Sequence, residues 1–429
     1  MSDSRQAIAD SQPAWRAACA AWIITWLVIA GIILGGNKRT VWPAYRNAGA
    51  HWESGEPLYQ LGPGEVAGHG FLYFPQAAIL FVPFAHIPEP ASGILWRGLS
   101  LAMLALGVWR ISTLFQANAR KAFLLATAVT IPTCLAGLRT GQATLAMTGM
   151  ILIAIEAFAR SKNNRAAVWL ALSIALKPLG VVPALLASVV SPRLGWRWGV
   201  AMAVVAISPF FFQQTSYVLL QHQQFLEMIR AAEKLGSAEW FAHLFGMLRA
   251  FGVMTPPSYQ FLARLAAAPM TLLLCVAISR RVSRERAAIW IYTLGAVYLM
   301  LFNPRTENST YLMLGPAIGY FLADEWLVRR RNGRAAFLVA MTVAITGCYE
   351  IAAPFTPAGA VAIWLAPLAC VVFSGYLATR YREDWSQAAP SLEAAAAQSH
   401  VTHAPHKGRM SRGTARPERA INNEAKRSD

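Results

Sequence analysis

Apolar residues come in runs of about 20 along most of the chain, separated by short breaks rich in charge, Gly or Pro. Such runs cover 17–36, 92–112, 120–137, 141–159, 197–213, 259–279, 287–302, 310–328, 335–353 and 359–379, with a shorter pair at 165–178 and 179–192. Read as helices, they predict an all-α polytopic membrane protein with about 12 spans. The first run leads into Gly35-Gly36-Asn37-Lys38-Arg39 without a small-x-small cleavage site, which predicts a retained helix rather than a signal peptide.

Three stretches depart from the simple span pattern. Residues 71–88 are apolar but contain Pro75 and Pro83, and counting them as a span would put every basic cluster outside, so they read as an interfacial or re-entrant piece. They belong to a long first external loop, about 37–90, in which Trp42, Tyr45 and Trp52 share one helical face and Arg46, Asn47, His51 and Glu53 the other, as for a helix in the headgroup plane. A second long loop, about 214–258, carries Trp240, Phe241, Leu244, Phe245, Leu248 and Phe251 as one apolar stripe. The pair 165–192 is too short for two full crossings and has Lys177-Pro178 at its apex, which predicts a hairpin turning inside the membrane. A lysine there needs an anion or an aqueous cavity to face.

The charge pattern orients the map. Arg110/Arg120/Lys121, Arg160/Lys162/Arg165, Arg193/Arg197, Arg280/Arg281/Arg284/Arg286 and Arg329/Arg330/Arg331/Arg334 fall on one side, the cytoplasmic one by the positive-inside rule. Both termini are then cytoplasmic, with 1–16 as a short N-terminal segment, 17–379 as the membrane domain and 380–429 as a disordered basic tail. Composition agrees: 56% of residues are hydrophobic and 14% charged, against about 45–50% and about 25% in soluble domains. The formal charge of +17 would suggest nucleic acid in a soluble protein, but here it sits at helix ends, and no nucleic-acid partner is expected. The five cysteines lie apart and mostly inside apolar runs, as small buried hydrophobes.

No aspartate occurs between Asp10 and Asp324, so external carboxylate chemistry falls to glutamate. Glu307 stands out in Asn303-Pro304-Arg305-Thr306-Glu307-Asn308, a polar block between two spans at a helix start; a helix cap paired with Arg305 is the plain alternative. Glu53 and Glu56 are further candidates for a catalytic carboxylate. The cations on that side are Lys38, Arg39, Arg46, Arg139, Lys177 and Arg305, where the chain enters the membrane and a lipid phosphate would be held. Snorkelling accounts for Lys38 and Arg46 equally well. No acidic pair, HExxH or Cys/His cluster suggests a metal, and no cofactor is implied. Tyr45, Tyr59 and Tyr73 suit sugar contact or interface anchoring.

Several of these motifs together resemble the family-87 glycosyltransferases, polyprenol-phosphate-mannose-dependent mannosyltransferase-like membrane proteins of the GT-C fold. The matching residues are Pro43-x-Tyr45-Arg46-x-Ala48-Gly49, Gly55-Glu56-Pro57-Leu58-Tyr59, Phe71-x-Tyr73-x-Pro75, Gly141-Gln142, Lys177-Pro178 and the block from Asn303 to Tyr311. The resemblance covers roughly 20–380. It implies transfer of a sugar from a polyprenyl phosphate to a hydroxyl of a lipid or glycan acceptor at the external face of the inner membrane, in building a cell-envelope glycan. Two positions depart from the family pattern: Val41 stands where members usually carry an Asp, about four residues before the tyrosine, and Gln-x-Asn is Gln142-Ala143-Thr144, which removes a potential polar contact.

An inverting transfer needs a base for the acceptor hydroxyl and cations for the leaving phosphate. With the aspartate missing, Glu307 is the expected base and Glu53 or Glu56 its substitute. Arg39, Arg139, Lys177 and Arg305 are expected on the phosphate, with Tyr45, Arg46, His69, Tyr73, Gln142, Asn303 and Asn308 lining the donor and acceptor. Two other classes fit: a transporter or flippase of a lipid-linked or anionic substrate, suggested by the broken hairpin, and a catalytically silent family member, suggested by Val41.

Overall fold

The computed structural model describes residues 2–36, 40–59, 70–234, 241–348, 352 and 360–402, with side chains except at 2–11, 231–234 and 388–402. Among these the chain is helical, without strands. The elements are α1 (Ser2–Leu34), α2 (Trp42–Ser54), α3 (Pro75–Ile79), α4 (Val82–Ala85), α5 (Ala91–Ser112), α6 (Ala119–Thr140), α7 (Thr144–Ala159), α8 (Asn163–Leu176), α9 (Val181–Val190), α10 (Pro192–Ile207), α11 (Thr215–Lys234), α12 (Leu244–Ala250), α13 (Pro257–Ser279), α14 (Arg284–Phe302), α15 (Leu314–Ala323), α16 (Asn332–Thr346) and α17 (Ala360–Thr402).

The protein is an all-α polytopic membrane protein. Six segments are long and apolar enough to cross a bilayer, one of them (Ala91–Thr140) containing both α5 and α6, and three shorter apolar segments accompany them. α1, α10 and α13 bury little of their apolar surface: Ile23, Ile24, Leu27 and Val28 on α1, and Phe261, Leu265 and Leu273 on α13, are exposed. In water that surface would drive aggregation; in hydrocarbon it is already solvated. α7 is the opposite case, buried along nearly its whole length between α5, α8 and α14. It crosses α5 where Gly107 meets Gly149, and a Cβ on Gly107 would lie 2.6 Å from the Gly149 carbonyl. Without a hydrophobic drive between helices in lipid, such close backbone approach supplies the packing.

The two helix ends of the bundle differ. At one end, hereafter the loop end, α2, α3 and α4 pack over the mouth of the bundle. Residues 71–88 form no span: Pro75 and Val82-Pro83 each start a short helix. The aromatic stripe of α2 exists, but it meets protein rather than a headgroup layer, because periodicity records an apolar neighbour without saying whether it is lipid or protein. Trp42 stacks on Trp96 at 5.9 Å and Tyr45 on Phe81 at 5.0 Å. The second loop holds α11 and the short α12, which carries the stripe; Phe245 and Met247 are buried while Phe251 is exposed, and Trp240 lies outside the described residues. α8 and α9, with 14 and 10 residues, reach only about 21 and 15 Å, and the chain turns between them at Lys177 and the 3₁₀ turn Pro178–Gly180.

At the other end, the basic end, α17 runs straight through the composition change at 380 and on to Thr402. Just past that change Arg380, Glu383 and Asp384 lie on one helical face and enter an ion network. Arg380 reaches Asp324 and Asp384, each at 2.7 Å. Arg286 binds Asp384 at 2.7 Å and Asp324 at 3.1 Å, and Arg329 both of them at 3.1–3.2 Å. Arg331 and Arg334 each meet Glu383 at 2.7 Å. Nearby, Arg110 and Arg160 close on the buried Glu156. Residues 403–429 lie outside the described residues.

Candidate active site

Three breaks in helix continuity converge at the loop end. α6 ends at Gly141, whose φ of 79° is the left-handed conformation of a C-terminal cap. The Gln142 N–H returns to the Gly137 carbonyl at 2.9 Å, and α7 starts two residues later, so Gln142 projects from a tight inter-helix turn. The second break is Lys177, extended between α8 and Pro178, which has no N–H to continue the helix. The third is the polar block after α14. There the Thr306 hydroxyl donates to the Leu299 and Asn303 carbonyls, and the backbone carbonyl of Glu307 accepts the Thr310 N–H at 2.9 Å at the start of the 3₁₀ turn Asn308–Met313.

The side chains from these breaks form one cluster. Gln142 Nε2 donates to Glu307 Oε2 at 3.0 Å, and the Ser309 hydroxyl donates to the same oxygen at 3.1 Å. Lys177 Nζ donates to Thr144 Oγ1 at 2.7 Å and to Gln142 Oε1 at 3.4 Å. Tyr45 also donates to Gln142 Oε1 at 3.4 Å and shares a 2.6 Å hydrogen bond with Tyr73, whose ring lies 5.9 Å below Lys177 Nζ. The amide of Gln142 therefore bridges the Glu307 carboxylate and the Lys177 ammonium. Gln142, Thr144, Tyr45 and Tyr73 are buried, Lys177 half-buried and Glu307 exposed, so the carboxylate can be approached from outside. Burial pushes the Tyr45 and Tyr73 phenols well up from their ordinary range. They stay protonated at neutral pH and act as donors, not as bases.

The other sequence candidates scatter. Glu53 is exposed and pairs with His86 at 3.0 Å, and Glu56 is exposed and pairs with His51 at 3.5 Å; neither hydrogen-bonds to the Gln142 cluster. Arg46 donates to the Ala85 carbonyl at 2.9 Å and the Ile87 carbonyl at 3.4 Å, fastening α2 to α4. Arg305 lies over the Phe241 ring at 5.3 Å, and Asn308 accepts from Cys348 at 3.5 Å. Asn303 contributes its carbonyl to Thr306, and Arg139 its carbonyl to Arg97. Arg39 and His69 lie outside the described residues, as does Lys38. Among the described residues, no group of three or more His, Cys, Asp or Glu gathers where a metal could be held.

Sequence reasoning missed Thr144, Ser309 and Arg97. Thr144 occupies the departing position of Gln142-Ala143-Thr144, and its hydroxyl keeps a polar contact there by accepting from Lys177. Arg97 passed as part of an apolar run, although a single arginine inside a span is itself a signal. Val41, at the position of the absent acid, donates its N–H to the Thr140 carbonyl at 2.9 Å beside the same turn.

The profile of glycosyltransferase family 87 matches residues 71–304, more than half of the chain. That stretch contains Gln142, Thr144 and Lys177 and ends just before Glu307. No curated protein matches the chain.

Proposed function

Because the chain belongs to glycosyltransferase family 87 and is thus a membrane glycosyltransferase, we propose that it moves a mannose-like sugar from a polyprenyl phosphate to an acceptor hydroxyl at the loop end, with Glu307 as base. The observation that carries the reading is the Glu307–Gln142–Lys177 relay. An exposed carboxylate is held by two donors on one oxygen, Oε2, which leaves Oε1 for a substrate hydroxyl. The ammonium on the far side of the same amide is half-buried and hydrogen-bonds to the neutral oxygens of Gln142 and Thr144 rather than to a carboxylate, which leaves it available to an anion.

In the proposed step Glu307 takes the proton of the acceptor hydroxyl as its oxygen attacks the anomeric carbon. The bond from that carbon to the phosphate oxygen breaks, and the electron pair leaves with the polyprenyl phosphate. Lys177 neutralises the leaving phosphate. Arg139 and Arg305 flank the same end of the bundle as further cations, and Tyr45 and Tyr73, buried beneath the cluster, hold the Gln142 amide from below. Inversion at the anomeric carbon follows from a single displacement. The loop end is external by the positive-inside rule, since the arginine clusters crowd the opposite end. The acceptor is a lipid or glycan of the cell envelope, and the membrane the inner membrane.

Val41 favours a second reading, a silent member that keeps the fold without transferring sugar. Proteoliposomes supplied with radiolabelled polyprenyl-phosphate mannose, polyprenyl-phosphate glucose or a nucleotide sugar separate the two. Transfer from a polyprenyl phosphate is expected. Transfer from the nucleotide sugar alone would refute the donor, no transfer would favour the silent reading, and movement of intact donor across the bilayer would favour a flippase.

A further inference from the structure

Arg97 lies six residues into α5 and is only 2% exposed. Among the described residues, every hydrogen bond of its guanidinium goes to a neutral oxygen. Nε donates to the Leu138 carbonyl at 3.0 Å and the Arg139 carbonyl at 3.3 Å. Nη2 donates to the Arg139 carbonyl at 3.0 Å and Thr40 Oγ1 at 2.8 Å, and Nη1 to the Gly93 carbonyl at 3.0 Å. Two of these acceptors are last-turn carbonyls of α6, the negative end of that helix, immediately before Gly141 and Gln142. The neighbouring Trp96 holds the Gly141 carbonyl at 2.9 Å.

The space around the guanidinium is reserved by glycines. A Cβ on Gly141 would lie 3.0 Å from Arg97 Cζ, and one on Gly93 would lie 3.1 Å from Nη1. Burying an arginine among carbonyls, with no carboxylate in salt-bridge contact among the described residues, is expensive, and an apolar side chain would fill the same gap between α5 and α6 more cheaply. The first loop already meets the end of α6 through the Val41 N–H and the Thr40 hydroxyl, both on the Thr140 carbonyl; what an apolar residue could not do is hold the Leu138 and Arg139 carbonyls as well and so fix the turn that aims Gln142.

We infer that Arg97 is a positioning residue. It clamps the Leu138–Gln142 turn so that the Gln142 amide meets Glu307 and Lys177 together, and it acts on transfer only through that amide. The catalytic half of this inference rests on the proposed transfer reaction; the conformational half does not.

The test uses the full chain in nanodiscs, as wild type, Arg97→Lys and Arg97→Met. Hydrogen exchange of the peptide spanning 138–146 is expected to rise about tenfold or more in both variants, with α14 unchanged. In the transfer assay, with labelled polyprenyl-phosphate mannose as donor, Arg97→Lys is expected to lower kcat about 10- to 100-fold, while the donor KM moves less than about threefold. In a Gln142→Ala background the same substitution should cost less than about threefold, because the residue it acts through is gone. Unchanged exchange at 138–146, loosening of the whole bundle, or losses that simply add to those of Gln142→Ala would each overturn the inference. If neither variant folds, Thr40→Val removes the Arg97–Thr40 bond of the clamp together with the hydroxyl's own bonds to the Thr140 carbonyl and the Trp42 N–H, and absence of any local rise in exchange then refutes it. If wild type transfers nothing, the proposed reaction fails, and the exchange data still decide whether Arg97 sets the turn.

Discussion

The two ends of the bundle hold their charges in opposite ways. At the basic end Asp324, Glu383 and Asp384 are each gripped by two or more arginines from other elements, and Trp290 adds its indole N–H to Asp384 at 2.9 Å. At the loop end the carboxylate of Glu307 and the ammonium of Lys177 share an amide but do not touch. Charges paired closely with one another hold helices in register and spend most of their field on each other. Charges kept apart by a neutral spacer keep their fields available, which is what a site for a phosphate and a hydroxyl requires.

The contrast breaks first on Arg380. Arg380→Met leaves Asp324 and Asp384 buried with one fewer cation, and a loss of about 3–5 kcal/mol is expected. It should appear as a lower melting temperature and poorer recovery in detergent, with transfer per folded molecule unchanged. Lys177→Met should do the reverse. Transfer is expected to fall about 10²- to 10³-fold at nearly unchanged melting temperature, and a melting loss as large as that of Arg380→Met would show that the lysine is structural.

A smaller effect comes from His243, the cap of α12. Its Nδ1 accepts the Phe245 and Gly246 N–H groups at 3.2 Å, which requires the neutral ring. Burial, with Arg264 and Arg249 nearby, holds its pKa down to about 4 from the ordinary 6.5. The folded form thus binds a proton less readily than the unfolded chain. Its contribution is complete above pH 6.5 and is lost as the pH falls toward 4, by at most about 3 kcal/mol. Melting curves between pH 7.5 and 4.5 should show wild type losing more than His243→Asn, which caps without titrating; parallel curves would refute the assignment.

Much of the architecture was legible because bilayer thickness imposes run lengths. The break at Lys177 and the polar block around Glu307 could both be read from local sequence. Their meeting could not: Gln142 and Glu307 are 165 positions apart, and nothing in either stretch encodes the partner. Glu53 and Glu56 stood as substitutes for Glu307 because all three are loop glutamates; the fold separates the two that pair with histidines from the one that joins a lysine through an amide. The basic-end network was hidden for another reason. Glu383 and Asp384 sit in a stretch whose composition reads as tail, and their pairing with Arg329 and Arg331 emerges once α17 is seen to continue past residue 380.

The central claim is that Glu307 is the base. Its most direct test is the initial rate of sugar transfer from labelled polyprenyl-phosphate mannose in proteoliposomes, wild type against Glu307→Gln. The substitution keeps the shape, and a side-chain oxygen able to accept from Gln142 and Ser309, while removing basicity. A fall in kcat of about 10²- to 10⁴-fold, with donor KM and melting temperature nearly unchanged, is expected. Transfer by Glu307→Gln at the wild-type rate would contradict the account.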